Sequence, residues 1–166
     1  MNKLACLFVF WLLLSCKEDD PVDVRKQAVG SYDYKGKAYY LNGSGVPSSL
    51  PNSDFNGTLD VAIDPADDTG LLITESSDGT TSTYKGQKLA ATDNGFSFDI
   101  ASQPISANSN LILSGFEGYT TTKGGGATVP YHGAFVSATH VFGFWWQYKN
   151  VNTGIVFVFH MEGSKK

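Results

Sequence analysis

Apolar and polar residues alternate along most of the chain after residue 30, which is typical of β-strands that bury one face. In residues 55–63, odd positions are apolar or glycine and even positions are mostly polar. Nine segments have this strand character: 31–41, 55–63, 71–75, 80–85, 96–100, 111–117, 131–136, 139–148 and 155–162. A short helix is predicted before them, over residues 23–29, because Asp23 can cap its start and Gly30 can end it.

Turn-forming residues separate these segments. Asn and Gly adopt positive φ at little cost, and such residues occur at Asn42-Gly43, Asp68-Thr69-Gly70, Asp78-Gly79, Asn94-Gly95 and Thr153-Gly154. Short connections predict an antiparallel meander, whose apolar face must be covered by closure into a barrel or by folding over as a sandwich. The predicted fold is an all-β, antiparallel up-and-down β-barrel with a short N-terminal helix; a β-sandwich is the alternative.

The last two segments form the clearest hairpin. If Tyr148 faces Ile155, the strand alternation places a row of large apolar side chains on one face. The expected cross-strand pairs on this core face are Trp146 with Phe157, Phe144 with Phe159, and Phe142 with Met161. Trp145, Val158, Gly143 and His160 would share the opposite face. A slip of one residue would exchange the two faces.

Composition favours one β-rich domain and argues against nucleic-acid binding. The chain has 166 residues, with 18 Gly and 13% aromatic residues, which fits a single domain rich in strands. The net charge is −4 and the lysines are scattered, whereas a nucleic-acid surface needs a clustered basic patch. Both cysteines, Cys6 and Cys16, lie in the first 16 residues, so the domain is expected to lack disulfides and thiolate metal sites.

The N-terminus is organised like a secretory signal. Lys3 precedes an apolar segment of 11 residues, Leu4 to Leu14, which is shorter than the roughly 20 residues that span a bilayer. The segment ends in Leu13-Leu14-Ser15-Cys16, which resembles the lipobox of bacterial lipoproteins. By that resemblance residues 1–15 are a signal peptide, and Cys16 becomes an acylated N-terminus that anchors the protein in a membrane. A secreted protein with an incidental cysteine is the alternative.

The residues after Cys16 bear on location. Lys17-Glu18-Asp19-Asp20 resembles the surface-export signal of lipoproteins of the Bacteroidetes group, which implies attachment to the outer membrane, facing the cell surface. A solvated spacer is the alternative, because like charges repel and stay extended. The expected organisation is a signal peptide at 1–15, a lipidated acidic linker at 16–22 and a single β-barrel domain at 23–166.

The start of the domain resembles lipocalin-like (calycin) proteins. In that family a short helix is followed by a Gly-x-Trp motif at the first strand and a meander of about eight strands. Here the predicted helix is followed by Gly30-Ser31-Tyr32, so Tyr replaces the family's Trp. The arginine that packs over this Trp from the end of the family's barrel has no counterpart, and Lys165 and Lys166 stand at that end. The resemblance implies a barrel whose mouth holds a small apolar ligand.

The sequence contains no convincing catalytic or metal-binding motif. A zinc site needs three or four convergent ligands, whereas the expected register places His140 and His160 on opposite faces, and His132 lies on another segment. No Gly-x-Ser-x-Gly motif occurs, and no set of serine, histidine and acid is evident. We therefore expect no enzyme, no metal and no cofactor.

The aromatic group Trp145, Trp146 and Tyr148 is the candidate ligand-binding site. Adjacent strand residues point to opposite faces, so Trp146 is predicted to be core and Trp145 to lie outside. Trp145 is expected to remain partly accessible, because the short helix offers little apolar surface; packing beneath that helix is the alternative. An accessible indole suits a sugar ring or an apolar molecule.

Two functions from different classes are predicted. The first is a lipid-anchored cell-envelope binding module for a small apolar molecule or a glycan. The second is a structural or assembly lipoprotein that contacts other envelope proteins through its sheet edge or aromatic patch. An enclosed apolar cavity would favour the first, and a filled barrel with an exposed apolar patch would favour the second.

Overall fold

The computed structural model describes residues 23–41, 47–48, 52–105, 109–116, 119–122, 125–128 and 131–166. The predicted signal peptide, the lipidation site Cys16 and the export signal Lys17, Glu18, Asp19 and Asp20 lie outside these ranges. Within the described ranges, no helix has the length and apolar character needed to cross a bilayer.

Eight antiparallel strands close into a barrel. The elements are α1 (Arg25–Ala28), β1 (Gly30–Tyr39), β2 (Ser53–Ile63), β3 (Leu71–Ser77), β4 (Thr80–Thr92), β5 (Gly95–Ile100), β6 (Gln103–Pro104), β7 (Leu111–Gly115), β8 (Tyr119–Thr122), β9 (Gly125–Thr128), β10 (Gly133–Val136), β11 (Val141–Asn150) and β12 (Val156–Lys165). The ring runs β1, β2, β3, β4, β5, β10, β11, β12, and β12 pairs back to β1. The predicted all-β antiparallel barrel with a short N-terminal helix is confirmed, and the closed ring replaces the sandwich alternative.

The chain leaves the ring between β5 and β10. β10 pairs with the first part of β11, from Val141 to Phe144. β7 pairs with the later part of β11, from Trp146 to Asn150. β6 adds to β7, while β8 and β9 form a separate two-stranded sheet. Each of the nine predicted segments contains a strand, but segment 111–117 forms β7 outside the ring. This segment between β5 and β10, which we call the excursion, therefore adds strand β7 beside β11.

The two ends of the barrel differ in their connections. The short links 64–70, 93–94 and 137–140 lie at the end that α1 adjoins, which we call the helix end. The β1–β2 connection and the β5–β10 excursion, which are the longest, lie at the opposite end together with the short β3–β4 and β11–β12 turns; we call this the distal end. Longer connections at one end are where binding residues are most often found on a rigid scaffold.

Aromatic side chains fill the middle of the barrel. The largest fully buried aromatic residues are Tyr32, Tyr84, Phe96, Phe98, Phe135, Phe142 and Phe144. They pack ring against ring, as in the Phe98–Phe142 stack, whose centroids are 5.0 Å apart. Because buried aromatic rings contribute large apolar areas, this cluster is the main source of barrel stability.

The N-terminal helix is held at the helix end by residues from both ends of the domain. The Tyr32 hydroxyl donates to the Ala28 carbonyl at 2.5 Å. The Lys165 ammonium donates to the Val29 carbonyl at 2.7 Å and to the Gln27 carbonyl at 3.3 Å. Lys165 thus satisfies carbonyls at the C-terminal end of a helix, where a cation is favourable.

The register of the β11–β12 hairpin differs from the expected one by two residues. Trp146 pairs with Phe159, Phe144 with Met161, Phe142 with Gly163 and Tyr148 with Phe157. The cause is the turn: Gly154 has a φ of 72° and donates its N–H to the Asn150 carbonyl at 2.8 Å. This left-handed position suits glycine and places Gly154 in the turn, not in the ladder.

A register shift of two residues leaves every side chain of the hairpin on the face where it was expected, so only some of the core assignments change. Phe144 and Trp146 are buried as expected, whereas Phe159 is half-buried. Phe157 is 43% exposed, and its assignment to the core was wrong. Its pairing with Tyr148 moves it towards the distal end, beyond the packed centre.

Candidate functional site

The structure divides the predicted aromatic site between two faces of β11. Trp146 and Tyr148 point into the barrel, where their rings meet edge to face with centroids 4.5 Å apart. Trp146 also stacks on Phe159 at 4.2 Å. Trp145 lies on the outer face and does not join them, because neighbouring residues of a strand alternate.

The expectation that Trp145 stays partly accessible was wrong. Its side chain is only 7% exposed. His160 stacks on it at 4.4 Å, Tyr39 lies at 5.3 Å and Phe116 at 6.4 Å between ring centroids. The cover therefore comes from β1, β12 and the residue after β7, and not from the N-terminal helix.

The backbone of Trp145 marks the point where the excursion leaves and rejoins the barrel wall. Its N–H donates to the His132 carbonyl at 2.7 Å, and its carbonyl accepts from the Phe116 N–H at 3.2 Å. His132 precedes β10 and Phe116 follows β7, so the two ends of the intervening segment are bonded to one residue. This arrangement brings Phe116 close enough to cover the indole.

A group of polar side chains points into the barrel near its distal end; we call it the polar cluster. Its members are Tyr34, Glu75, Ser82, Tyr84 and Tyr148. The Tyr34 hydroxyl donates to Glu75 Oε1 at 2.5 Å, and Ser82 faces Glu75 across the β3–β4 ladder. Glu75 is only 8% exposed. A carboxyl group inside a barrel is costly unless it is partnered, so its presence there needs an explanation.

A glycine allows Tyr34 to reach Glu75. Gly57 lies opposite Tyr34 in the β1–β2 ladder. A Cβ at Gly57 would come within 2.8 Å of the Tyr34 ring and 2.2 Å of the Ser76 carbonyl oxygen. The ring can therefore lie across this strand only because no side chain is present at that position.

The tyrosines of the polar cluster remain protonated at neutral pH. Burial raises the pKa of Tyr84, with further contributions from Tyr148 and Glu75. Burial, and then the hydrogen bond to Glu75, raises the pKa of Tyr34. Burial also raises the pKa of Tyr148, which a hydrogen bond with Ser82 partly offsets. Each phenol therefore offers an O–H donor beside the carboxyl group.

Two buried donors at this cluster, the Tyr84 hydroxyl and Trp146 Nε1, lack a hydrogen-bond partner of standard geometry within the described part of the chain, although Ser82 lies close enough to the Tyr84 hydroxyl to offset part of the rise in its pKa. The two rings lie 5.3 Å apart. Among the described residues, no ion pair involves Glu75. A buried donor without a partner costs about 1–3 kcal/mol, so an incoming acceptor would gain from meeting either group.

A second concave feature lies on the outer wall of the barrel, across β10, β11 and β12; we call it the outer groove. Its volume is about 260 Å³. Its principal lining residues are Ala134, Val141, Gly143, Trp145, His160 and Glu162. The floor is formed by Gly143 and its ladder partners Ala134 and Glu162.

The two histidines beside the groove are held in different ways. Burial, with a smaller contribution from Lys37, lowers the pKa of His160 to about 4, so its imidazole is neutral at pH 7. His132 Nδ1 accepts the N–H of Ile100 at 2.9 Å. His140 lies in the turn before β11 and is exposed. No group of three metal-binding side chains is found in the ranges that the structure describes.

Sequence reasoning missed Tyr34, Glu75 and Tyr84 as candidate site residues. A signal for Glu75 was present: Leu71, Ile73 and Glu75 occupy alternate positions, so the carboxyl group falls on the apolar face. Tyr34 and Tyr84 carried no such signal, because an inward-facing tyrosine is ordinary in a core.

Comparisons with known proteins provide no family for this chain. No protein-family model matches it, and neither does any curated protein. Seven chains among the solved structures match. One is a protein of unknown function from the DUF3598 family of Nostoc punctiforme PCC 73102, with 12% identity and a TM-score of 0.37. The match covers 85% of this chain and 48% of that one, so this chain spans about half of that neighbour's length.

Proposed function

We propose that the protein is a lipid-anchored cell-envelope module that binds a small, largely apolar molecule with a polar group at the distal end of the barrel. The observation that carries this proposal is the polar cluster, a buried carboxyl group beside donors that lack partners. Natural proteins satisfy nearly all buried polar groups. Because aromatic side chains fill the middle of the barrel, the ligand would occupy the distal mouth and supply the missing partners there.

The surroundings of the cluster suit a ligand with an apolar body. Phe55, Tyr148 and Phe159 are partly buried and pack against the core. Phe55 and Phe159 meet edge to face at 6.1 Å, and Tyr148 lies 5.7 Å from Phe159. An apolar body would pack among these rings, while its polar group would contact Glu75 or an unpartnered donor. Ligand sites commonly combine aromatic walls with a few polar groups in this way.

The proposed anchor is compatible with access to this end. If Cys16 is acylated, residues 16–22 connect the lipid to the helix end, where α1 begins at Arg25. The distal end is then the end of the barrel that lies farther from the point of attachment. The resemblances of Leu13-Leu14-Ser15-Cys16 and of Lys17–Asp20 support an anchored protein of the outer membrane that faces the cell surface.

Binding can be tested with N-phenyl-1-naphthylamine, an apolar fluorescent probe with a single N–H donor. We expect saturable binding with one site per chain. Glu75→Gln should weaken binding about tenfold, because it replaces one of the two oxygens of this side chain with an N–H donor that cannot accept the probe's N–H. Asp54→Asn is the matched control, since Asp54 is an exposed carboxylate on β2, and it should leave the affinity unchanged. Equal affinities of wild type and Glu75→Gln would contradict a ligand in the polar cluster.

Anchoring requires a separate test. Cys16→Ala should abolish acylation and release the protein from membranes or leave the signal uncut, and mass spectrometry of the wild type should show a lipidated Cys16. Replacing Lys17–Asp20 with alanine should keep the lipid but lose surface exposure, as measured by protease shaving of intact cells. An unmodified cysteine in the wild type would refute the anchor. If protease removed the wild type and the alanine variant from intact cells to the same extent, the acidic segment would be a spacer and not an export signal.

A filled barrel with exposed apolar side chains favours a second candidate, a structural or assembly lipoprotein. Of the six large apolar side chains that are exposed among the described residues, Val29 lies at the helix end, and five belong to connections or strand ends at the distal end: Tyr40, Ile105, Val151, Ile155 and Phe157. Chemical cross-linking in intact cells from Val151→Cys would test this candidate. A specific cross-linked envelope protein, together with failure of the naphthylamine probe, would favour assembly over ligand binding.

A further inference from the structure

We propose that the outer groove is a second binding site, separate from the distal end, and that it takes the terminal pyranose ring of an uncharged glycan. The groove lies on the outer wall, because Val141, Gly143 and Trp145 alternate with the inward-facing Phe142 and Phe144. The interior and the groove are therefore on opposite faces of the same sheet, and a molecule in one does not contact a molecule in the other.

The floor of the groove is flat because its central residues are small. Gly143 pairs with Ala134 on one side and with Glu162 on the other. A Cβ at Gly143 would lie 3.1 Å from the Met161 carbonyl oxygen, which is a tight contact. Larger side chains at either small position would occupy the space that a ligand needs. The C–H face of a pyranose ring is also flat and apolar, so it can rest on such a floor.

The walls of the groove are apolar on two sides. Trp145 and His160, stacked 4.4 Å apart, bound it at one end of the floor. Val136 and Val141, which are ladder partners, bound it at the other end. Trp145 is only 7% exposed, so it bounds the groove as part of the wall and is not a platform on which a ring could stack. Aromatic and aliphatic walls of this kind are usual in small-molecule sites.

The polar groups at the groove suit the hydroxyls of a sugar. Glu162 is exposed and lies beside the floor, where its carboxylate can accept hydrogen bonds from two adjacent hydroxyls. Lys35 lies opposite Glu162, and Lys37 opposite His160, in the β1–β12 ladder, so charges of both signs border the groove and the carboxylate is not an isolated charge. His160 is neutral at pH 7, so it brings no positive charge that would attract an anion. A neutral imidazole offers one donor and one acceptor, which also matches hydroxyl chemistry.

The size of the groove limits the ligand to one ring. Its volume of about 260 Å³ falls just under the roughly 300–1,000 Å³ of pockets for drug-sized molecules. Because the groove is open to the surface, the rest of a glycan chain can extend into solvent. The predicted contact is thus with the last sugar of a chain, and affinity should be weak for a single site.

The proposal can be tested by NMR on the ¹⁵N-labelled protein with methyl glycosides of glucose, galactose, mannose and N-acetylglucosamine, whose blocked anomeric oxygens imitate a chain end. At least one should give saturable shifts at the Gly143 amide and the Trp145 indole N–H. Ala134→Leu should raise the Kd by at least about tenfold by filling the floor. Ala62→Leu, the same change at an exposed position on the wall formed by β2, should leave the Kd unchanged.

Three results would overturn the proposal. They are the absence of saturable shifts with all four glycosides, shifts confined to residues of the polar cluster, and equal affinities in wild type and Ala134→Leu. Binding of N-phenyl-1-naphthylamine is measured in the same variants. Ala134→Leu should leave this probe's affinity unchanged, and Glu75→Gln should leave glycoside affinity unchanged. Failure at one site is therefore distinguishable from failure at the other.

Discussion

At the residue scale, the packing of Trp145 changes the acid–base chemistry of His160. The imidazole is enclosed between the indole and its own strand, while Lys37 lies opposite it in the β1–β12 ladder. Burial and this lysine both disfavour the protonated form, and they lower the pKa of His160 from 6.5 to about 4. The outer wall consequently carries a neutral ring where the amino-acid sequence places a residue that titrates near neutrality.

Acid should therefore destabilise the barrel through His160. In the unfolded chain, His160 has a pKa of 6.5 and binds a proton when the pH falls below that value. In the native protein its pKa is about 4, so it binds the proton only at a lower pH. Because the unfolded state binds more protons between these values, this contribution to stability is complete above 6.5 and is lost as the pH falls towards 4. In His160→Phe, which keeps a ring against Trp145, the urea midpoint should fall less between about pH 7 and about pH 5 than in the wild type.

His140→Asn is the control for this measurement. His140 is exposed in a turn and has a φ of 51°, and asparagine tolerates that conformation. The control should keep the wild-type dependence of the midpoint on pH. If His160→Phe lost as much stability in acid as the wild type, the imidazole would not be responsible.

The two barrel tryptophans should both be shielded from water. Trp145 and Trp146 are 7% and 5% exposed. In a Trp11→Phe background, where only these two indoles emit, acrylamide quenching of the native protein should be several-fold weaker than that of the unfolded protein. Trp145→Phe should leave the remaining quenching low. A fall in quenching by about half on removal of Trp145 would instead mean that this indole is accessible, as a free binding platform would require.

At the scale of elements, the β11–β12 hairpin supplies much of the aromatic packing. Phe144 is almost fully buried against Tyr84, with ring centroids 5.2 Å apart, and Trp146 stacks on Phe159. Phe157, by contrast, projects at the distal end. The observed register thus predicts that the aromatic residues of this one hairpin contribute very different amounts to the free energy of unfolding.

Truncation of these residues should reproduce that difference. Phe144→Ala and Trp146→Ala should each lower the free energy of unfolding by about 3–5 kcal/mol, as for other buried large aromatics. Phe157→Ala should cost less than about 1 kcal/mol, because much of its ring is already in water. Denaturant unfolding measures all three. A loss at Phe157 equal to that at Trp146 would support the register with Trp146 opposite Phe157 and contradict the one described here.

At the scale of the whole molecule, Lys165 joins the two ends of the domain. Its ammonium group, on the last strand, contacts carbonyls of Gln27 and Val29 that frame the start of β1. The barrel wall is closed by β1 and β12, and the lysine extends this closure to α1. The helix is only four residues long, so it depends on such tertiary contacts for its stability.

Lys165→Met should loosen the helix end. It keeps most of the aliphatic stem and removes the donors, at an expected cost of about 1 kcal/mol in the free energy of unfolding. Amide hydrogen exchange should accelerate at Gln27 and Ala28 more than in the barrel strands. Lys166→Met is the matched control, because Lys166 pairs with the exposed Asp33, and exposed ion pairs contribute little. Equal exchange rates at the helix in Lys165→Met and wild type would refute this role.

The sequence by itself determined the strands, the turns and the antiparallel pairing of this protein, and it favoured a barrel over a sandwich. These properties follow from local patterns: alternation assigns each strand a buried face, and turn residues such as Gly154 end it. The burial of Phe144 and Trp146 belongs to the same class, whereas the helix predicted over residues 23–29 with an Asp23 cap is limited to Arg25–Ala28 and has no side-chain cap. So does the separation of Trp145 from Trp146, because adjacent residues on a strand point in opposite directions whatever their partners are.

Only the tertiary structure decided the hairpin register, the cover over Trp145 and the composition of the polar cluster. A shift of two residues preserves the alternation, so the pattern of Phe157 and Phe159 could not distinguish the two pairings. The rings that cover Trp145 and the groups that meet Glu75 come from other strands, far away in the chain. Such contacts depend on barrel closure and on the return of the excursion beside β11, and no local pattern encodes which distant side chains these bring together.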